Sequence, residues 1–138
     1  MKSNGIEVSE FKGIGYQPMI DFNNWRVALL RYIEELELEN LSNMQKHDET
    51  DEVFVLLEGE CTLFYTTEKD LLEIKAVKME QGKLYNVKQE IWHTHTLQQG
   101  TTVLIVENKD TCDANSPKIE LSLEQRKQLK ECYVEEHR

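Results

Sequence analysis

Gln45-Lys46-His47-Asp48-Glu49-Thr50-Asp51-Glu52-Val53-Phe54-Val55-Leu56-Leu57-Glu58-Gly59 is the stretch on which the fold turns. Val53 to Leu57 is a continuous apolar run of the kind found in buried strands. Glu58-Gly59-Glu60 reads as a turn, and Cys61-Thr62-Leu63-Phe64-Tyr65 as the returning arm of a hairpin. The other half of the stretch carries His47 and a dense acidic run. In that run Asp48, Glu49 and Asp51 suit a solvated loop, and Glu52 is the candidate for an inward role.

A second stretch, Gly82-Lys83-Leu84-Tyr85-Asn86-Val87-Lys88-Gln89-Glu90-Ile91-Trp92-His93-Thr94-His95, complements the first. Residues two apart on a strand share a face, so His93 projects with His95 and Gln45 with His47. Three imidazoles and a carboxylate, His47, Glu52, His93 and His95, form a candidate ligand set for a divalent ion such as Mn²⁺, Fe²⁺, Ni²⁺ or Zn²⁺. Such an ion keeps positions open to polarise a ligand oxygen or activate water. The competing reading makes the same histidines hydrogen-bonded pocket residues, with His93 as a general base. His93 and Glu52 are the catalytic candidates on either reading, and Gln45 and Tyr85 are expected to line the substrate pocket. Trp92 faces the opposite way from His93 and is expected to cover the outside. Arg26 and Arg31 lie on opposite strand faces, so one of them has an inward alternative facing a substrate carboxylate, while the favoured reading of both is a surface arginine. His137, beside the C-terminus, is expected to be solvated.

The remaining chain reads largely as short strands. Trp25 to Tyr32 is one, after an N-terminal arm containing Pro18. Glu34 to Leu41 fits both helix and strand spacing. Leu72 to Met79 alternates in places, Glu80-Gln81-Gly82 is a turn, and short strands follow around Tyr85, Trp92 and Thr102 to Glu107. Ser122 and Gln125 have capping-box spacing, opening a helix whose Leu123, Leu129 and Cys132 or Tyr133 recur at helical intervals. With no internal repeat or linker, the expectation is one domain, 1–138: an arm at 1–24, a β-barrel at 25–108 and a helix at 122–136. Many short strands punctuated by turns indicate a mostly β sandwich or barrel, with the helix packed outside.

Composition narrows the function. A chain of 138 residues suffices for one domain with a hydrophobic core. The net charge of −10 argues against nucleic-acid partners and anionic membranes. No apolar run is long enough to span a bilayer, and the first residues lead into no apolar signal segment, so a cytoplasmic location is expected. Cys61, Cys112 and Cys132 form no CxxC pair and read as reduced thiols, Cys61 a small core residue.

Taken together, the two histidine-bearing stretches resemble the paired motifs of the cupin family. Glu52 and Gly59 have the spacing of its first motif, and His47 stands where that motif's second histidine belongs. Gly82 leads to His93 at the spacing of the second motif. The sequence departs from the pattern at Gln45, in the place of the first histidine, and at Lys88 and Glu90, in the place of a proline and a glycine. Leu97 sits where an asparagine would be, and His95 is the candidate substitute for the missing imidazole. The resemblance implies a cupin-type double-stranded β-helix barrel, or jelly roll, and a homodimer; symmetric dimers are also the commonest oligomers.

Tyr85-Asn86-Val87, Ile91-Trp92-His93 and Val103-Leu104-Ile105-Val106 further resemble the second half of ureidoglycolate lyases, which release urea and glyoxylate. The functional expectations are therefore three. One is a metal-assisted protein acting on a small polar carboxylate or sugar-like molecule. Another is a metal-independent lyase or isomerase, and the last is a module that binds a small molecule without turnover.

Overall fold

The computed structural model describes residues 5–67 and 73–138. Among these residues ten strands precede one α-helix: β1 (Gly15–Phe22), β2 (Trp25–Arg31), β3 (Asn43–Gln45), β4 (Glu52–Glu58), β5 (Cys61–Thr66), β6 (Lys75–Lys78), β7 (Tyr85–Val87), β8 (Trp92–Leu97), β9 (Thr102–Asn108), β10 (Lys118–Glu120) and α1 (Leu123–Glu136). They form two antiparallel five-stranded sheets. Sheet A runs β1-β2-β9-β4-β7 and sheet B runs β10-β3-β8-β5-β6.

Alternation along each strand builds the core between the sheets. Ala28 and Leu30 of β2, Phe54 and Leu56 of β4, and Val103 and Ile105 of β9 face Leu63 and Leu97 from sheet B. A second core lies on the outer side of sheet B, where Met44 and Phe64 meet Leu129 of α1. Ser122 accepts a hydrogen bond from the Gln125 amide while the Gln125 side chain accepts from the Ser122 amide, the expected capping box. Leu129, Cys132 and Tyr133 pack on the barrel as expected, but Leu123 points to solvent; the buried leucine at the helix start is Leu121. His137 is half-buried rather than fully solvated. Its ring stacks on Tyr133 at 3.8 Å between centroids, and Nε2 lies 3.3 Å from Thr62 Oγ1.

Four expectations are corrected. The arm at 1–24 contains a strand: β1 pairs with β2 along the sheet edge, and Pro18 sits at a register shift. An edge strand tolerates a proline and a mostly exposed, weakly apolar sequence, so its pattern is faint. The barrel consequently extends beyond 25–108 on both sides, since β10 also joins sheet B. The turn at Glu58-Gly59-Glu60 does not close a hairpin. It carries the chain from β4 in sheet A to β5 in sheet B. Glu34 to Leu41 is neither helix nor strand but two 3-10 turns. Of the span Leu72 to Met79, β6 forms the ordered strand, and Leu72 lies outside the described residues.

Gly59 makes the crossing between sheets feasible. Its φ is +85°, and a Cβ there would lie 2.5 Å from Thr101 Cα, whose hydroxyl bonds both the amide and carbonyl of Glu60 at 2.9 Å. Gly59→Ala is expected to cost about 2–3 kcal/mol from left-handed strain and steric overlap. A urea melt with unchanged slope and a lowered midpoint would show it.

Candidate functional site

His47 follows the short strand β3, Glu52 opens β4 and His93 is the second residue of β8. Pairing of Gln45 with His93 links the two histidine-bearing stretches in sheet B, while Glu52 reaches across from sheet A. All three side chains are buried, and their ligand atoms lie within 4.8 Å of one another. His47 Nε2 is 3.1 Å and His93 Nε2 is 2.9 Å from the same oxygen, Glu52 Oε1. The imidazole rings stand 5.2 Å apart.

The outer nitrogen of each ring is already engaged. His93 Nδ1 lies 3.0 Å from the Ile91 carbonyl, which can only accept, so this nitrogen carries a proton. His47 Nδ1 is 2.7 Å from Ser116 Oγ, whose own proton goes to Asn115 Oδ1, so it too donates. In the neutral rings both Nε2 atoms therefore direct lone pairs at a carboxylate oxygen. Three electron-pair donors converge with no proton of their own between them. That is the arrangement of a cation site with its ring orientations held by outer partners.

Glu52 is backed by a second carboxyl group. Burial pushes the Glu52 carboxyl up, but once the rings carry protons on Nε2, hydrogen bonds from His47 and His93, with one from Glu107, outweigh it and hold the group well below the usual carboxylate range. Burial and the adjacent Glu52 raise Glu107 in turn. One proton between the two carboxyls resolves their repulsion. Tyr16 Oη donates to Glu107 Oε2, and Arg26 reaches the same oxygen at 3.4 Å. Arg26 also donates to the Lys109 carbonyl at 2.6 Å and pairs with Asp21 at 3.4 Å, which fixes it as a clamp across β1, β2 and the end of β9.

These groups line a cleft of about 490 Å³ at one end of the barrel, with Gln45 and His95 on its wall. Gln45 donates to the Ser116 carbonyl at 3.0 Å, supporting the residue that orients His47. His95 shares the cleft but is not part of the converging set. Its ring lies 5.6 Å from Phe54 between centroids, its Nδ1 is buried without a partner, and burial pushes the imidazole down to about 4. One strand repeat of about 7 Å separates His93 from His95. Sharing a face therefore did not bring both to one point. Tyr85 is placed elsewhere: it lines a separate apolar depression with Leu63, Val77 and Val87, and its hydroxyl accepts from the Glu80 amide at 2.9 Å. His93 borders both spaces.

The acidic run divides as expected. Glu52 is buried, while Asp51 pairs with Lys88 at 3.0 Å and accepts from the Gln89 amide at 2.8 Å. Asp51 thereby pins the turn in which Lys88 and Glu90 replace proline and glycine. Glu90 adopts φ +66°, the left-handed conformation that glycine takes most easily. Glu107 and Tyr16 escaped the sequence reading, and Arg26, for which the surface position was favoured, is the arginine that turns inward to Glu107. For Glu107 a signal existed: Val103, Ile105 and Glu107 share the inward parity of β9.

Comparison with solved structures identifies the architecture. A cupin-2 domain containing protein from Shewanella frigidimarina matches with a TM-score of 0.53 at 17% identity, over 72% of this chain and 85% of its own. A variant of Bacillus subtilis oxalate decarboxylase matches with a TM-score of 0.54 at 13% identity, over 70% of this chain and 24% of its own. Pac13, described as a nucleoside dehydratase, matches with a TM-score of 0.56 at 10% identity, over 80% of this chain and 83% of its own, and a Tyr-to-Phe variant of Streptomyces Pac13 solved with uridine matches with a TM-score of 0.58, over 88% and 93%. No family model and no curated protein matches the sequence. The fold is the cupin-type jelly roll that the two motifs imply, and its buried His-Glu-His group can hold a metal ion.

Proposed function

We propose that the cleft binds one divalent transition metal through His47, Glu52 and His93 and holds a small polar carboxylate or sugar-like molecule beside it. The observation that carries this reading is the pair of Nε2 lone pairs aimed at one carboxylate oxygen, with both Nδ1 protons already committed. Two imidazole nitrogens and a carboxylate oxygen suit Mn²⁺, Fe²⁺, Ni²⁺ or Zn²⁺. When bound, such an ion supplies Lewis acidity toward a ligand oxygen. The chain's own residues supply the rest. Ser116 and the Ile91 carbonyl orient the imidazoles, Glu107 shares its proton with Glu52, and Tyr16 with Arg26 holds Glu107 in place. Two neighbours in the same fold are named for small polar substrates, oxalate and a nucleoside, which accords with a polar cleft of this size.

Elemental analysis of protein purified without chelator, followed by calorimetric titration with each of the four ions, tests the proposal. One ion per chain is expected; a folded protein that takes up none of them sinks it. Ser116→Ala removes the acceptor that orients His47, and is expected to weaken metal affinity about 10–100-fold without unfolding the barrel.

A second reading, a metal-independent lyase or isomerase with His93 as base, draws on the proton-sharing chain Tyr16–Glu107–Glu52–His93. It predicts turnover that survives chelation and is abolished by His93→Ala.

A further inference from the structure

The three imidazoles of the cleft are not equivalent. His47 and His93 keep their protons on Nδ1 and turn bare Nε2 atoms toward Glu52. For His95 the surroundings are reversed. Its half-buried ring lines the cleft, and of its two nitrogens Nδ1 is the one sealed off without a partner among the described residues. The ring stands outside the converging His-Glu-His group with no carboxylate bonded to it, so it is neutral and carries one N–H. An orphaned buried N–H is rarer than an orphaned buried acceptor, so the proton belongs on Nε2, at the outer edge of the ring that the cleft can reach. Two imidazoles thus offer lone pairs to a cation, and the third offers a proton to an oxygen.

We propose that His95 is the specificity-determining donor of the cleft, recognising an uncharged carbonyl oxygen at the far end of a small oxo acid whose carboxylate meets the metal held by His47, Glu52 and His93. The inference rests on the metal-binding reading above and narrows its ligand class. The surroundings of the donor limit what it can meet. Leu63 lies opposite His95 in the pairing of β5 with β8, the Phe54 ring is 5.6 Å away, and Leu30 and Ile105 line the same cleft. A single neutral N–H among apolar side chains satisfies an uncharged carbonyl oxygen, but it does not offset the desolvation of a second carboxylate. Spacing adds a length. One strand repeat of about 7 Å separates His95 from His93, and a hydrogen bond occupies about 3 Å of it. That leaves about 4 Å between the two oxygen-bearing ends of a molecule held at both places, the span of a short carbon chain.

Calorimetric titration of the full chain, loaded with whichever of Mn²⁺, Fe²⁺, Ni²⁺ or Zn²⁺ it binds most tightly, tests the proposal with two acids of equal charge and similar shape. They are 4-oxopentanoate and 4-methylpentanoate, in which a methyl group stands in place of the carbonyl oxygen. Wild type is expected to bind the oxo acid about tenfold more tightly, because the methyl compound leaves the Nε2 proton without an acceptor. His95→Phe should abolish the preference. His95→Gln, whose amide nitrogen reaches the place of Nε2, should retain it. Both variants should take up metal as wild type does, which a metal ligand would not allow. Should His95→Phe fail to fold, His95→Leu removes the same nitrogen with a smaller side chain and decides. Metal-loaded wild type that binds neither acid, or both equally, overturns the inference and leaves the metal site standing. So does a preference that survives loss of the nitrogen, or a loss of metal along with it. A chain that takes up no metal overturns both this inference and the reading beneath it.

Discussion

Glu52→Gln is expected to yield a folded protein that no longer takes up a transition metal. The carboxylate is the only anionic donor in the converging set, and its Oε1 is the atom both Nε2 groups face at 2.9 and 3.1 Å. Losing an outer partner typically costs 10–100-fold in affinity, so losing this donor should cost more than about 100-fold. The metal-free protein should be no less stable than wild type. The substitution removes a buried charge, and an amide N–H can donate to a histidine lone pair that the carboxylate oxygen only opposes. Thermal melts with and without metal separate the two effects. At a metal concentration 100 times its dissociation constant, wild type should gain about 2.7 kcal/mol and the variant close to none. An undiminished metal-induced shift in the variant would show that Glu52 is not a ligand.

Phe54→Ala should produce the largest loss of stability. Phe54 is 1% exposed in the core between the sheets and forms the packing floor of the site, its ring 6.0 Å from His93 in an edge-on contact and 5.6 Å from His95. Truncating a buried phenylalanine costs about 3–5 kcal/mol through lost burial and the cavity left behind. For a chain of this length that lowers the melting temperature by about 10–15 °C. Metal affinity should fall with it, because the rings of His93 and His95 lose the surface that fixes their tilt. A variant that melts within a degree or two of wild type would place the main core elsewhere. A destabilised variant with full metal affinity would confine Phe54 to packing.

Much of the barrel was legible because its strands follow simple patterns. The runs around Val53, Trp92 and Val103, the capping box at Ser122 and Gln125, and the spacing of His47, Glu52 and His93 are local features, and the structure retains each of them. The misreadings involve quantities that sequence spacing does not contain. Parity put His95 on the correct face, yet could not say that one strand repeat is too far from His93 to share its focus. The apolar strands flanking Gly59 looked like a hairpin because a turn between sheets and a turn within one sheet use the same residues. In β1 the backbone supplies the pairing while most side chains remain exposed, so little hydrophobic signal marks it.

Periodicity and spacing were enough for the mostly β barrel, the capped helix and, with His95 added in error, the residues that meet at the barrel's end. Each of these depends on periodicity or spacing within a few dozen residues. Only the tertiary structure decided what surrounds them. Glu107, Tyr16 and Arg26 come from β9, β1 and β2, elements separated by 81 and 91 positions at their hydrogen bonds, and converge only when sheet A assembles. Which oxygen the histidines face, which nitrogen keeps its proton and where His95 stops short are matters of ångströms. They are set by packing, which no one-dimensional pattern encodes.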